Sequence, residues 1–300
     1  MTSDAAQSKQ IILVSHDAMP PWFRSHFKGT VITGYRPSGK SAKYYLFSVL
    51  QLSNESINIW SHLIGIFYFA WRILTMAAGR DSFSFGILIF DIGSCLCFTC
   101  SVCYHIFLAT NERTYLLLAR IDYAGIVLMI VVSCAVIYAV MYSTCFPTLS
   151  LICSLAITIG GVLLACIVGQ DWFMRRTKLR LLTFVVFVVL CTAPSAYPVY
   201  LGWSPPAVYA RLAQEGTPHN ASSMQIATSL WIAGAVVYAY GWPERQYPRR
   251  FDYFGASHQL MHIAVLVAAM LLESVASAWR DIATALPYDV ICGNLTREVR

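Results

Sequence analysis

Long apolar stretches alternate with short polar ones along most of the chain. Seven of these stretches are long enough to cross a bilayer, which takes about 20 mostly apolar residues in a helix. The pattern therefore predicts an all-α integral membrane protein, folded as a bundle of seven transmembrane helices. The predicted segments cover residues 58–78, 84–109, 117–142, 147–169, 179–202, 224–243 and 255–279.

Prolines refine two of these segments. Pro147 suits the first turn of the fourth helix, because the missing N–H would have no helical partner there. Pro194 and Pro198 fall inside the fifth segment, where a proline removes a backbone hydrogen bond and crowds the preceding turn. We therefore expect the fifth helix to bend or break near residue 194.

The composition agrees with a membrane protein. The chain is 57% hydrophobic and 12% charged, whereas soluble domains carry about 25% charged residues. Its first 20 residues contain a single short apolar run, "IILV", which cannot form the core of a signal peptide. We expect insertion to begin at the first apolar segment, and we expect no nucleic-acid partner.

The basic residues predict an orientation. They cluster before the first segment and in the loops after the second, fourth and sixth. With a cytosolic N-terminus, 15 of the 21 lysines and arginines lie on the cytosolic side, as the positive-inside rule requires. The C-terminus then lies outside or in a lumen, opposite to the usual G-protein-coupled receptor. The predicted parts are a cytosolic segment 1–56, a transmembrane domain 57–280 and a luminal tail 281–300.

Most cysteines lie inside the apolar segments, where a thiol usually serves as a small hydrophobic filler. No disulfide framework can be inferred from their spacing. The eight cysteines in the segments are Cys95, Cys97, Cys100, Cys103, Cys134, Cys153, Cys166 and Cys191.

Four polar side chains fall at one predicted depth. His105 lies near the end of the second segment, Asp122 near the start of the third, and His258 and His262 near the start of the seventh. At about 1.5 Å per residue, all four lie roughly 6–12 Å from the cytosolic boundary. Three helices therefore bring ionisable groups to the same level.

This set of side chains predicts a zinc site. His258 and His262 are one helical turn apart and project from one face. Zinc commonly takes three protein ligands and keeps one position open for water, so His105, His258 and His262 are the predicted ligands. Asp122 is the predicted base beside the metal, and Ser101 could hydrogen-bond into the same site. The alternative is that these side chains only join the helices through hydrogen bonds.

Two further acids lie deeper in the apolar segments. Asp91 is about four turns before His105, and Glu273 is about three turns after His262. Acidic residues inside a membrane often line a functional path. They predict a polar interior above the metal, or else they lie at the interface or pair with a loop cation.

Several motifs resemble a known family. They are "SNESINIWSHLIG" (53–65), "SVCYH" (101–105), "LARIDYAGI" (118–126) and "SHQLMH" (257–262). The chain resembles the progestin and adipoQ receptor family, which is related to the hemolysin III proteins. The resemblance spans roughly residues 30–280.

The resemblance implies roles for the polar residues. In the family the three histidines bind zinc and the aspartate supports a water, which corresponds here to His105, His258, His262 and Asp122. Three residues of the first motif also match the family, and we interpret them as structure at the cytosolic edge. Glu55 is expected to cap the first helix or to bond to the seventh. The three residues are Glu55, Asn58 and His62.

The resemblance leaves three functions open. The motifs "VITGYRP" (31–37) and "PERQYP" (243–248) resemble the member that holds Raf kinase at the Golgi. That likeness implies a Golgi membrane protein whose cytosolic N-terminal segment tethers Raf kinase, with the plasma membrane as the alternative location. The family's adiponectin receptors are associated with ceramide cleavage, which implies a zinc-dependent amide hydrolase. The third function is a receptor for a lipid, such as ceramide or a sterol-like ligand, with zinc as a structural clamp.

Overall fold

The structure is a computed structural model that describes residues 12–27, 29–195 and 221–292. These residues are mainly helical, with an isolated β-bridge between Val14 and Tyr35. In chain order the α-helices are α1 (Pro21–His26), α2 (Ala42–Ser48), α3 (Ser56–Ala77), α4 (Phe85–Phe107), α5 (Glu112–Ile137), α6 (Pro147–Val168), α7 (Asp171–Met174), α8 (Thr177–Thr192), α9 (Ala221–Tyr240), α10 (Ser257–Ala285) and α11 (Tyr288–Cys292).

Five helices of the described residues are long and apolar enough to cross a membrane, namely α3, α4, α5 with its extension to Tyr142, α6 and α10. They correspond to the first four predicted segments and the seventh. The all-α membrane fold is therefore confirmed. A crossing by the fifth and sixth segments stays a prediction, as does the orientation of the bundle.

The fifth and sixth segments each contain a helix. Helix α8 ends at Thr192, two residues before Pro194, and a 3₁₀ turn (Ala193–Ser195) follows. This break is the one that Pro194 predicts. Pro198 lies outside the described residues. Helix α9 covers most of the sixth segment.

Both ends of α5 differ from the predicted segment. Helix α5 begins five residues before the predicted segment, because the Asn111 side chain accepts a hydrogen bond from the Thr114 N–H at 2.9 Å and caps the first turn. At its other end α5 changes into a π-helical turn, Tyr138–Tyr142. Pro147 is the first residue of α6, as predicted.

Small residues let the long helices approach closely. Antiparallel α4 and α5 meet at Gly93, where an added Cβ would lie 2.7 Å from Val132 Cγ1. Helices α3 and α4 meet at Gly65, where an added Cβ would lie 2.6 Å from Phe98 Cδ2. Close backbone contact through glycine is typical of helices that associate in a membrane.

The residues before α3 fold across one end of the bundle. We call residues 12–27 and 29–53 the N-terminal layer. The Tyr45 hydroxyl donates to the carbonyl of Ala109 at 2.9 Å. Asp252, from the loop before α10, accepts hydrogen bonds from the Thr33 N–H at 2.8 Å and the Thr33 hydroxyl at 2.6 Å. Gly34 has a φ of +85°, a backbone conformation that favours glycine.

A disulfide joins Cys145 to Cys292 at the opposite end of the bundle. We call this end the disulfide end. The bond ties α11 to the loop between α5 and α6. The sequence did not predict it, although these are the two cysteines that lie outside the apolar segments. The eight other cysteines are unpaired in the described structure, as predicted.

Candidate metal centre

Three histidines converge at the end of the bundle that the N-terminal layer covers. His105 comes from the last turn of α4, and His258 and His262 come from the first two turns of α10. One ligand atom from each ring lies within 4.8 Å of the others. His105 and His262 are buried, with 1% and 2% of their surface exposed. The structure therefore brings together the three predicted zinc ligands.

In two of these histidine rings, one nitrogen has a hydrogen-bond partner and the other has none. His105 Nδ1 lies 2.7 Å from Glu55 Oε2, while its Nε2 has no hydrogen-bond partner among the described residues. His262 bonds to the backbone of Asn58, and its Nδ1 likewise lacks a partner there. Histidines that bind a metal usually donate their second N–H to a carboxylate or a carbonyl. The available nitrogens therefore fit a metal ion.

The backbone of His105 is held by the N-terminal layer. The guanidinium of Arg36 donates to the His105 carbonyl and, at 3.1 Å, to the Ser48 hydroxyl. Arg36 is 2% exposed. A carbonyl in the last turn of a helix has no helical partner. Arg36 satisfies the carbonyl of His105 and thereby links the N-terminal layer to the candidate centre.

The start of α10 is held by the "PERQYP" motif. Glu244 accepts a hydrogen bond from the Ser257 N–H at 2.8 Å and a second, short one from the Ser257 hydroxyl. Gln259 accepts one from the Ala256 N–H at 3.3 Å and donates to the carbonyl of Asn54 at 3.0 Å. These bonds satisfy free N–H groups of the first turn and fix the direction in which His258 projects.

Glu55 has a different partner from the one predicted. Its side chain makes no capping hydrogen bond to α3, and it bonds to His105 on α4 rather than to α10. The Asn58 amide donates to the same Oε2 at 2.8 Å. Burial is the largest single influence and would raise the pKa of Glu55, but the hydrogen bonds from His105 and Asn58 and the charges of the nearby histidines together lower that pKa to about 2. Glu55 is thus an ionised carboxylate that orients a histidine.

His62 is a fourth histidine at the centre, and its position there was not predicted. Its ring stacks on His262 with the centroids 4.0 Å apart and 24° between the planes, and it packs against Phe98 at 4.6 Å. Its ring also lies against the backbone of His262. The spacing of Glu55, Asn58 and His62 along one face of α3 is the signal that could have placed them at this site.

Asp122 and Ser101 lie beside the histidines. Ser101, on α4, donates a hydrogen bond to Asp122 on α5, and Asp122 is close enough to His105 for their charges to interact. Ser101 is 3% exposed. The structure therefore brings these two residues together as predicted, and their roles remain a hypothesis.

The family can now be stated. A family model described as haemolysin-III related matches residues 50–272. The chain belongs to the haemolysin-III related family. The resemblance to the progestin and adipoQ receptor family, drawn from the motifs, is confirmed at the family level. The match begins before Glu55 and ends within α10, ten residues after His262.

Named relatives of the family cover most of the chain. Human membrane progestin receptor gamma is 29% identical over 296 residues, spanning 92% of this chain and 86% of the relative. The ADIPOR-like receptor IZH2 of Saccharomyces cerevisiae is 29% identical over 279 residues, spanning 89% and 84%. Heptahelical transmembrane protein 1 of Arabidopsis thaliana is 26% identical over 286 residues, spanning 90% and 82%. The chain is thus a multi-pass membrane protein of a receptor family.

Proposed function

We propose that the chain is a membrane receptor that regulates signalling and holds one zinc ion through His105, His258 and His262. One observation carries this proposal. Two buried histidines each bond to Glu55 or to the Asn58 backbone through one nitrogen and keep the other nitrogen available beside His258. An unpartnered buried nitrogen costs about 1–3 kcal/mol, and a metal ion removes that cost.

The relatives suggest the chemical class of the ligand. Proteins named as membrane progestin receptors align with about nine-tenths of the chain. We therefore propose a steroid-like or other lipid ligand that enters from the bilayer. In a receptor, zinc would join the end of α4 to the start of α10, so that a ligand binding between these helices would change their relative position.

Zinc content tests the proposal directly. Full-length protein purified in detergent is expected to contain one zinc per chain by mass spectrometry of the metal. The double variant His258→Ala, His262→Ala is expected to lose it, because only one of the three ligands remains. His26→Ala is the control, since His26 lies in α1 on the exposed surface. A wild type without zinc, or a double variant that keeps it, would contradict the proposal.

A second candidate function is a lipid amide hydrolase, and the pair of Asp122 and Ser101 favours it. When bound, zinc would lower the pKa of a water toward 7 and polarise a carbonyl. Asp122 would accept a proton from the attacking water and pass it to the amine that leaves, while Ser101 holds the carboxylate in place. A ceramide would then be cleaved to a fatty acid and a sphingoid base.

The hydrolase is tested by fatty-acid release. Asp122→Asn is expected to abolish release from a ceramide while zinc content stays at the wild-type level. Asp171→Asn is a control with the same chemical change, because Asp171 is exposed in α7. Unchanged release in Asp122→Asn would exclude Asp122 as the base. If the wild type releases no fatty acid from a ceramide, the hydrolase proposal fails and the receptor proposal is retained.

We also propose, from the motif resemblance, that the N-terminal layer tethers Raf kinase at the Golgi membrane. Deleting residues 1–40 is a poor test, because it would remove Arg36 and its bond to the His105 carbonyl. Charge reversal at exposed Arg24, Lys40 and Lys43 leaves that bond in place. The reversed protein is expected to release the kinase with zinc content unchanged. A kinase that stays in place would exclude this surface as the tether.

A further inference from the structure

A second polar site lies inside the bundle, away from the histidines. Asp91, in the second turn of α4, is 0% exposed, and neither of its carboxylate oxygens has a hydrogen-bond partner among the described residues. It lies fourteen residues before His105, or about 21 Å along the helix. A buried carboxylate is costly unless a proton, a cation or hydrogen bonds compensate it.

The facing helix places a second unsatisfied group at the same level. Gly86 of α4 lies against Ala139, and Gly93 lies against Val132, which fixes the antiparallel register of the two helices. This register puts Ser133 of α5 level with Asp91. Ser133 is also 0% exposed, and its hydroxyl lacks a partner in the residues that the structure covers. Two orphaned oxygen-bearing side chains thus share one level of the core.

The nearest guanidinium on α3 is engaged by other carboxylates. Arg72 lies close enough to act electrostatically on Asp91. Its Nε donates to Glu273 at 2.9 Å and its Nη1 to Asp81 at 3.0 Å. Arg72 therefore has two acidic partners already and leaves the charge of Asp91 uncompensated.

The other guanidinium near Asp91 is engaged as well. Arg280 bonds to Asp281 at 2.9 Å and donates to the carbonyl of Ser82 at 2.7 Å. Of the charged groups that act on Asp91, Glu273 and Asp81 are negative, and Arg72 and Arg280 are positive. The other acids of this group each bond to a guanidinium, whereas Asp91 bonds to neither.

We propose that Asp91 binds a monovalent cation, sodium, together with the hydroxyl of Ser133 and that of neighbouring Ser94. Carboxylate and hydroxyl oxygens are the ligands that hard cations take. One carboxylate without a cationic partner matches a single positive charge. The Ser94 hydroxyl donates to the Phe90 carbonyl at 2.8 Å, so its lone pairs remain available to the ion. This cation site is separate from the histidine centre and does not depend on zinc.

Polar side chains lie between the site and the surface at the disulfide end. Asp81, in the loop between α3 and α4, has 28% of its side chain exposed and bonds to Arg72. The ion pairs of Arg72 therefore extend from the bundle surface toward Asp91, on which the charge of Arg72 acts. The proposed cation would enter along these polar groups.

Thermal unfolding of the purified full-length protein tests the proposal. Sodium chloride is titrated against choline chloride at constant ionic strength and constant pH, and the midpoint of unfolding is measured. Because an ion that binds only the folded state stabilises it, the midpoint is expected to rise with sodium and to saturate. Asp91→Asn is expected to remove this rise. Asp17→Asn is the matched control, because the Asp17 side chain is 91% exposed in the N-terminal layer, away from this site.

Ser133→Ala provides a milder variant that keeps the carboxylate. Loss of one oxygen ligand is expected to raise the half-saturating sodium concentration on the order of 10-fold. The proposal would be overturned if the unfolding midpoint of the wild type did not change with sodium concentration. It would also be overturned if Asp91→Asn showed the same rise with sodium as the wild type. A wild-type unfolding midpoint that changes with pH but not with sodium concentration would also overturn the proposal, because Asp91 would then hold a proton instead of a cation. Zinc content is measured in parallel and is expected to stay constant.

Discussion

Glu55 connects three helices through a single carboxylate. It precedes the first residue of α3, binds His105 at the end of α4, and is held by Asn58, whose backbone bonds to His262 on α10. The two proposed ligands that these bonds orient lie 157 residues apart in sequence. Removal of the charge of Glu55 should therefore act on the metal centre rather than on α3 alone.

We predict that Glu55→Gln weakens zinc binding by about 10- to 100-fold, the range typical of groups that orient a metal ligand. Competition with a chelator of known affinity measures the change. Glu112→Gln is the control, because Glu112 is exposed at the start of α5. Equal zinc affinity in Glu55→Gln and wild type would show that Glu55 does not orient a ligand.

At the scale of single residues, the sequence predicts the candidate metal ligands, but it does not predict which side chains contact them. His258 and His262 share a face through their spacing, and orientation brings His105 level with them. The partner of Glu55 depends on how α3 crosses α4, which no local pattern contains. His62 was placed at the edge for the same reason, because its stacking on His262 arises only from the packing of α3 against α10.

The pairing of α4 with α5 sets the level of both polar sites. Gly93 permits the close approach, because an added methyl group would lie 2.7 Å from Val132. Both helices carry functional candidates, with Ser101 and His105 on α4 and Asp122 on α5. Separation of the two helices would therefore move Asp122 away from its hydrogen-bond partner.

We predict that Gly93→Ala destabilises the protein by about 1–3 kcal/mol, the usual cost of overpacking a tight contact. A lower midpoint of thermal unfolding measures this loss. Gly169→Ala, at the end of α6, is the control, because an added Cβ there meets its nearest atom at an ordinary 3.5 Å. An unchanged midpoint in Gly93→Ala would mean that the helices can separate at little cost.

Hydropathy predicted the helices of the bundle, but their ends depend on specific hydrogen bonds. The Asn111 side chain starts α5 earlier than the apolar pattern does. Glu244 fixes the first residue of α10 from a loop thirteen residues away. Apolar length shows that a helix exists, whereas its first turn depends on polar side chains that hydropathy does not register.

At the scale of the whole molecule, the two ends of the bundle differ in chemistry. One end carries the histidines under the N-terminal layer, and the other carries the Cys145–Cys292 bond. Disulfides form in oxidising compartments and are rare in the cytosol. This agrees with the orientation predicted from the basic residues, in which the N-terminus is cytosolic and the C-terminal tail is luminal or extracellular.

We predict that Cys145→Ser lowers the free energy of unfolding by about 2–5 kcal/mol, because the bond closes a long loop in the unfolded chain. The midpoint of thermal unfolding reports this loss. Cys166→Ser is the control, because Cys166 is unpaired and exposed. A reductant that cannot cross membranes is expected to reach the bond from the luminal side of sealed vesicles only. Reduction of the disulfide from the cytosolic side would contradict the predicted orientation and favour the opposite one.

The span of the histidine centre along the chain has a consequence for biosynthesis. Glu55 leaves the ribosome early, whereas His262 belongs to the last long helix to be made. A nascent chain therefore cannot complete the set of ligands until α10 has been synthesised and has joined α3 and α4. Capture of the ion would then mark the end of assembly, and a chain truncated before residue 257 should be recognised by quality control as unfinished.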